Sequence, residues 1–153
     1  MKPSLERLAL PCCAAVLATC LGAGASADDA SFASTDGLAN LGGAEIYSHI
    51  CQGCHMPGAQ GAVGAGHYPK LAGDPALLSW QYVALTVLNG KNGMPAFGLA
   101  SDGIGPMRPA HLSDAQVADV VNYVRNNFGN RYETKVTAKQ VAALPHPTAE
   151  TSP

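Results

Sequence analysis

The chain has 153 residues, a formal charge of −2 and 13% charged side chains, about half the usual share of roughly 25% in globular proteins. The length corresponds to one domain with tails, and the charge supplies neither a basic patch for nucleic acid nor an acidic disordered block. The 17 glycines and 11 prolines are aperiodic, which excludes collagen-like and solenoid repeats.

Residues 1–27 read as an export signal. Lys2 and Arg7 form a short positive start, diluted by Glu6, and Leu8 to Leu21 is apolar apart from Thr19. Ala25-Ser26-Ala27 then offers the small residues of a cleavage site before Asp28. A membrane anchor is the competing reading, but the run is shorter than the ~18–20 residues a span needs, and Pro11 interrupts it. A lipoprotein signal through Leu17-Ala18-Thr19-Cys20 fits poorly, because Thr precedes the cysteine. Cleavage after Ala27 removes Cys12, Cys13 and Cys20 and leaves only Cys51 and Cys54, in a compartment where disulfides form.

Asp28 to Asn40 has no periodicity and reads as a flexible leader (28–40). A domain is expected over 41–137, followed by a tail over 138–153. From Leu41 the pattern is helical: Ile46 and Ile50 share a face, as do Gly43 and Tyr47. This helix runs into Cys51-Gln52-Gly53-Cys54-His55.

Cys-x-x-Cys-His is a c-type haem attachment pattern. Two cysteines three positions apart at a helix end each add across one porphyrin vinyl group, and the adjacent histidine lies beneath the iron and coordinates it. The competing readings each lack a part. A thioredoxin-like pair needs a strand–helix setting, structural zinc needs four ligands, and a plain disulfide leaves His55 unexplained.

Met56 to Gly73 is glycine-rich and reads as loop. Asp74-Pro75 opens a second helix, with Leu77, Leu78, Tyr82 and Leu85 recurring up to Leu88 before Gly90 ends it. In the third helix, Ser113 to Gln116 forms a capping box, and Val117, Val120, Val121, Val124 and Phe128 line one face before Gly129. Thr137 to Gln140 caps one more short turn, and Pro145 to Pro153 is expected to be disordered.

A sixth iron ligand is sought among Met56, Met94 and Met107, the methionines after the signal. Met56 adjoins His55 and stays on the proximal side. Met94 lies in Asn89 to Gly98, where glycines allow close backbone approach and Pro95 fixes the chain after the sulfur. Met107 lies between Pro106 and Pro109, shortly before the third helix. Met94 is favoured, with Met107 as the alternative; ligation by a second imidazole, from His67 or His111, is a lesser option.

These landmarks resemble those of the class I c-type cytochromes of the bacterial periplasm, over about residues 41–132. Gly43, Tyr47 and Tyr123 match the small and aromatic residues at which the family's first and last helices cross. Cys51-x-x-Cys54-His55, Pro69 to Gly73, Asn89 to Pro95 and Leu112 to Asn130 follow in the family's order. The resemblance implies an all-α class I cytochrome c fold, with about three to four helices wrapped around one covalently bound haem c. It also implies that the Pro69 carbonyl holds the His55 ring and that Leu71 touches the haem. The chain departs from many relatives at Leu99 to Ala110, which reads as an insertion between Met94 and the last helix. It also lacks the ring of lysines by which mitochondrial relatives dock, with only Lys70 and Lys91 expected near the haem edge.

The expected function is that of a periplasmic one-electron carrier, without enzymatic activity of its own, with His55/Met94 ligation. Its redox partners would be a periplasmic dehydrogenase, a terminal oxidase or a membrane cytochrome complex; no nucleic acid and no membrane span in the mature chain are expected. The alternatives are a dedicated cytochrome subunit of a periplasmic dehydrogenase and, less favoured, a haem sensor or peroxidase-like enzyme with an open sixth site.

Three short helices make a thin interior, and a domain of this size has little apolar burial to spare. An enclosed apolar macrocycle would supply the missing centre. The chain prepared without haem is therefore expected to lack a cooperative transition in thermal circular dichroism. A sharp two-state melt of the haem-free chain would overturn this.

Overall fold

The computed structural model describes residues 40–64, 66–99 and 110–148. The expected export signal, most of the expected leader, Met107 with the bulk of the expected insertion, and residues 149–153 lie outside the described residues. Among those described, no helix is long and apolar enough to cross a membrane.

The first helical run comprises α1 (Gly43–Ile46), a π-helical stretch (Tyr47–Cys51) and α2 (Gln52–His55). It starts where the Gly42 N–H donates to Glu45 Oε2 at 2.7 Å, satisfying one of the donors a helix start leaves unpaired. In the π stretch the Gln52 N–H donates to the Tyr47 carbonyl. Such widened turns recur at functional sites, and this one directly precedes the Cys-x-x-Cys-His residues. Met56 ends the run with φ at 67°.

The glycine-rich loop contains one small hairpin, β1 (Ala62–Val63) and β2 (His67–Tyr68), with Ala62 opposite Tyr68 and Val63 opposite His67. Two-residue strands are too short for alternation to reveal them in a sequence.

The expected second helix is split. Asp74 Oδ1 accepts from the Ala76 N–H at 2.9 Å and caps a 3-10 turn (Pro75–Leu78). Ser79 Oγ then accepts from the Tyr82 N–H at 3.2 Å and starts α3 (Trp80–Asn89) afresh. The break resets the helical phase. Leu78 is 70% exposed and Tyr82 is also exposed, while Leu77, Ala84 and Leu88 are buried. Gly90, at φ 72°, ends α3 where expected.

Helix α4 (Asp114–Asn126) has the expected capping box: Gln116 Oε1 accepts from the Ser113 N–H at 2.9 Å, and Ser113 Oγ from the Gln116 N–H. Val117, Val120, Val121 and Val124 are buried along it. It ends at Asn126, short of Gly129, and Phe128 takes a positive φ of 56°. Thr137 caps α5 (Ala138–Ala142), and Val141 is fully buried with the core. The packed unit thus reaches past 137. Beyond it, His146 Nε2 lies 2.7 Å from Asp114 Oδ1 in the first turn of α4, so this part of the expected disordered tail is tied down.

Helices α1 and α4 meet at Gly43. A Cβ there would lie 2.6 Å from the Asp119 carbonyl carbon and 2.9 Å from Tyr123 Cβ. Beside this crossing Tyr47 packs on Tyr123, at 5.7 Å between ring centroids, and on Phe128 at 4.8 Å.

Because the obstruction at Gly43 is backbone, Gly43→Ala forces the helices apart. It is expected to lower stability by about 2–3 kcal/mol, seen as a fall in the thermal midpoint of roughly 10 °C or more. The Asp114 carboxylate, by hydrogen bonding, raises the His146 pKa above its ordinary 6.5. The stabilisation from this contact is therefore fully present below the unfolded value and lost as pH rises through the folded one. His146→Ala should lower stability at about pH 5 and leave it unchanged at about pH 9, by no more than ~1 kcal/mol for so exposed a pair. Urea denaturation at the two pH values checks this.

Candidate functional site

An open, apolar cleft is lined by residues of the first helical run, the loop after it, α3, the Met94 segment and α4. Leu77, Val83 and Val87 line it from the 3-10 turn and α3, and Val120, Val121 and Val124 from α4. Of the residues singled out in the sequence, Cys51, His55, Pro69, Leu71 and Met94 all line it.

His55 closes α2 and is 8% exposed. Its Nδ1 lies 2.9 Å from the Pro69 carbonyl. A carbonyl only accepts, so Nδ1 carries the proton and Nε2 bears the lone pair. Nε2 has no hydrogen-bond partner among the described residues. The loop carrying Pro69 is pinned on both sides. The Leu71 and Ala72 N–H groups donate to the Ala59 carbonyl at 2.8 and 2.9 Å. Asn130 Nδ2 donates to the Leu71 and Val124 carbonyls at 3.0 and 2.9 Å, and its Oδ1 accepts from the Gly73 N–H at 2.9 Å.

Both cysteines are free thiols. Burial, and after it the neighbouring Cys54, pushes the Cys51 thiol up to about 12, so it is protonated at neutral pH. Cys54, three positions on, is exposed and does not line the cleft.

Met94 sits at the end of a tight turn. The Lys91 N–H donates to the Met94 carbonyl at 3.1 Å and the Met94 N–H to the Lys91 carbonyl at 2.9 Å. Asn92 and Gly93 between them have φ of 49° and 89°, as a two-residue type I′ turn requires. Gly90 is needed for a second reason besides its φ: a Cβ there would lie 3.0 Å from Ala96 N and Pro95 C. After Met94 the chain is tied back to α3, where the Val87 and Leu88 carbonyls accept from the Phe97 and Gly98 N–H groups at 3.0 and 2.9 Å.

The other candidate ligands are placed elsewhere. His67 is exposed on β2 and His111 Nδ1 lies 3.0 Å from the Leu99 carbonyl; neither lines the cleft. Met107 is outside the described residues.

The sequence reading had no role for Arg125. It is 2% exposed and donates to the Leu77 and Thr134 carbonyls at 2.9 and 2.6 Å, with its guanidinium 5.4 Å from the centre of the Tyr132 ring. It thus fixes Leu77 in the cleft wall. The sequence carried only a faint signal, an arginine in the last turn of an otherwise valine-faced helix.

The donor set suits a covalently attached haem. An imidazole nitrogen with its lone pair free and a soft thioether line one apolar cleft, and a Cys-x-x-Cys pair immediately precedes the imidazole.

The sequence matches the family model described as Cytochrome c over residues 42–128. It is 38% identical over 114 residues to the gluconate 2-dehydrogenase cytochrome c subunit of Pantoea cypripedii, covering 67% of this chain and 23% of that protein. It is 33% identical over 117 residues to the cytochrome c subunit of the quinone alcohol dehydrogenase of Gluconobacter oxydans, covering 72% of this chain and 24% of that one. Cytochrome c6 of a Synechococcus strain is 34% identical over 83 residues, or 54% of this chain and 64% of that protein. The chain thus spans about a quarter of the length of the two dehydrogenase subunits. Matched over more than half its length by the family model, and folded as helices around a cleft with the motif at its wall, the chain belongs to the cytochrome c family.

Proposed function

We propose that the chain carries single electrons, using one haem c joined to Cys51 and Cys54 and ligated by His55 and Met94. The observation that supports this reading is that His55 and Met94 line the same apolar cleft, with His55 Nδ1 already engaged by the Pro69 carbonyl. When bound, haem supplies an iron centre that changes oxidation state by one electron.

The chain's own residues set how that centre behaves. The Pro69 carbonyl fixes the His55 tautomer and presents Nε2. The Met94 thioether is a soft ligand that favours the reduced metal and raises the potential. The valines of α3 and α4 exclude water and disfavour the extra charge of the oxidised form. With His55 and Met94 both holding the iron, no position would be left open for a substrate, so the site would exchange electrons and do no bond chemistry.

A second reading, a cytochrome subunit that remains with one dehydrogenase, is supported by the relatives. Those named as cytochrome subunits of gluconate, alcohol and fructose dehydrogenases match this chain at 38%, 33% and 33% identity. In either reading the chain is exported, its signal is removed after Ala27, and its partners are periplasmic redox proteins: a dehydrogenase as donor, and a terminal oxidase or membrane cytochrome complex as acceptor.

The ligand assignment is tested on holoprotein matured in a host that attaches haem c. The ferric wild type is expected to show the sulfur-to-iron charge-transfer band; Met94→Ala should abolish it and Met107→Ala should leave it intact. Loss of the band in the Met107 variant alone would transfer the ligand role to Met107.

A further inference from the structure

We propose that Lys91 and Tyr82 are positioning residues for Met94, forming a clasp that holds the methionine turn against α3; this rests on Met94 being the sixth ligand. The backbone of Lys91 is already committed to Met94, each N–H donating to the other's carbonyl. Any restraint on Lys91 is therefore passed directly to the residue bearing the sulfur.

The Lys91 side chain supplies such a restraint. Its Nζ donates to Tyr82 Oη at 3.0 Å and lies 4.8 Å from the centre of the same ring. Tyr82 stands in the first turn of α3 and lines the cleft. Lys91 has no carboxylate partner among the described residues; among them its ammonium is oriented by this phenol ring. The geometry closes a loop. From Tyr82 the chain runs along α3, turns at Gly90 and comes back through Lys91 to Tyr82, with Met94 held on its far side by the Asn92–Gly93 turn.

The backbone ties on this segment are the Gly90 N–H to the Thr86 carbonyl before the turn, the paired Lys91 and Met94 bonds within it, and those of Phe97 and Gly98 after it. The clasp adds a side-chain tie from the turn itself to the first turn of α3.

A cation over an exposed ring contributes modestly, so the clasp shows itself in how readily the sulfur leaves and hardly in whether the protein folds. The measurement is the rate at which imidazole displaces the sixth ligand of the ferric holoprotein, followed by loss of the sulfur-to-iron band. Lys91→Met, which keeps the aliphatic stem, is expected to speed displacement about three- to tenfold. Tyr82→Phe keeps the ring and should speed it roughly two- to threefold. Lys91→Arg retains a cation that stacks on the ring and should restore the wild-type rate to within about twofold. If the two side chains act through each other, the Lys91→Met/Tyr82→Phe double variant exchanges no faster than Lys91→Met. Amide exchange at the Met94 N–H should rise in Lys91→Met, as a readout independent of the added ligand.

Displacement in Lys91→Met within twofold of wild type, additive effects in the double variant, or failure of arginine to rescue would overturn the clasp while leaving the ligand assignment standing. Absence of the sulfur-to-iron band from the wild type would remove Met94 as ligand and the clasp together.

Discussion

The approach of α1 to α4 at Gly43 leaves no room for a side chain, since the Asp119 carbonyl and Tyr123 Cβ occupy the space where one would stand. This contact sets the position of the first helical run, and the cleft inherits it. One turn on, Tyr47 is clamped between Tyr123 and Phe128 and donates its hydroxyl to the Met56 carbonyl at 2.8 Å. Burial pushes the phenol up to about 12, so it remains a donor at any ordinary pH. The bond holds the chain reversal directly after His55. A helix crossing remote from the chemistry thereby decides where the imidazole lies.

From there backbone carbonyls accept most of the hydrogen bonds that hold the site together. Pro69 holds His55, Ala59 receives the Leu71 and Ala72 amides, and Leu71 and Val124 receive Asn130. Even Arg125, whose charge burial disfavours, is satisfied by the Leu77 and Thr134 carbonyls and by the Tyr132 ring. Fixed dipoles orient a ligand and its loop without adding net charge to the apolar interior, where an uncompensated charge is costly. For a centre whose own charge changes by one unit at each turnover, a wall of this kind keeps the surrounding field constant.

What could be read in the sequence is what local chemistry determines. The capping boxes at Ser113 and Thr137, the stop at Gly90 and the valine face of α4 are each fixed by a few neighbouring residues, and each stands where it was expected. The Cys-x-x-Cys-His run was equally plain. Resemblance, and not pattern, pointed to Pro69, because nothing in a loop's composition says which carbonyl a distant imidazole will find. The misses are of the same origin. Two adjacent capping signals, Asp74 and Ser79, compete within one apolar stretch, and periodicity cannot see that the chain obeys both and breaks between them. Asn130 was visible only as a landmark following Gly129, although its amide joins α4 to the loop of Leu71 and Gly73 across nearly sixty positions of chain.

The long interval between Met94 and the last helix had kept Met107 in contention, and the bonds around it alter the weight of that interval. The Leu112 N–H donates to the Phe97 carbonyl at 2.9 Å, and His111 Nδ1 meets the Leu99 carbonyl at 3.0 Å. The described residues on the two sides of 100–109 are thus hydrogen-bonded to each other. The entropy of closing a loop grows only slowly with its length, so added residues between paired flanks cost little. Met94 lies before them, with its own ties to Lys91 ahead and, through Phe97 and Gly98, to α3 behind. The longer spacing is therefore compatible with Met94 as the proposed ligand.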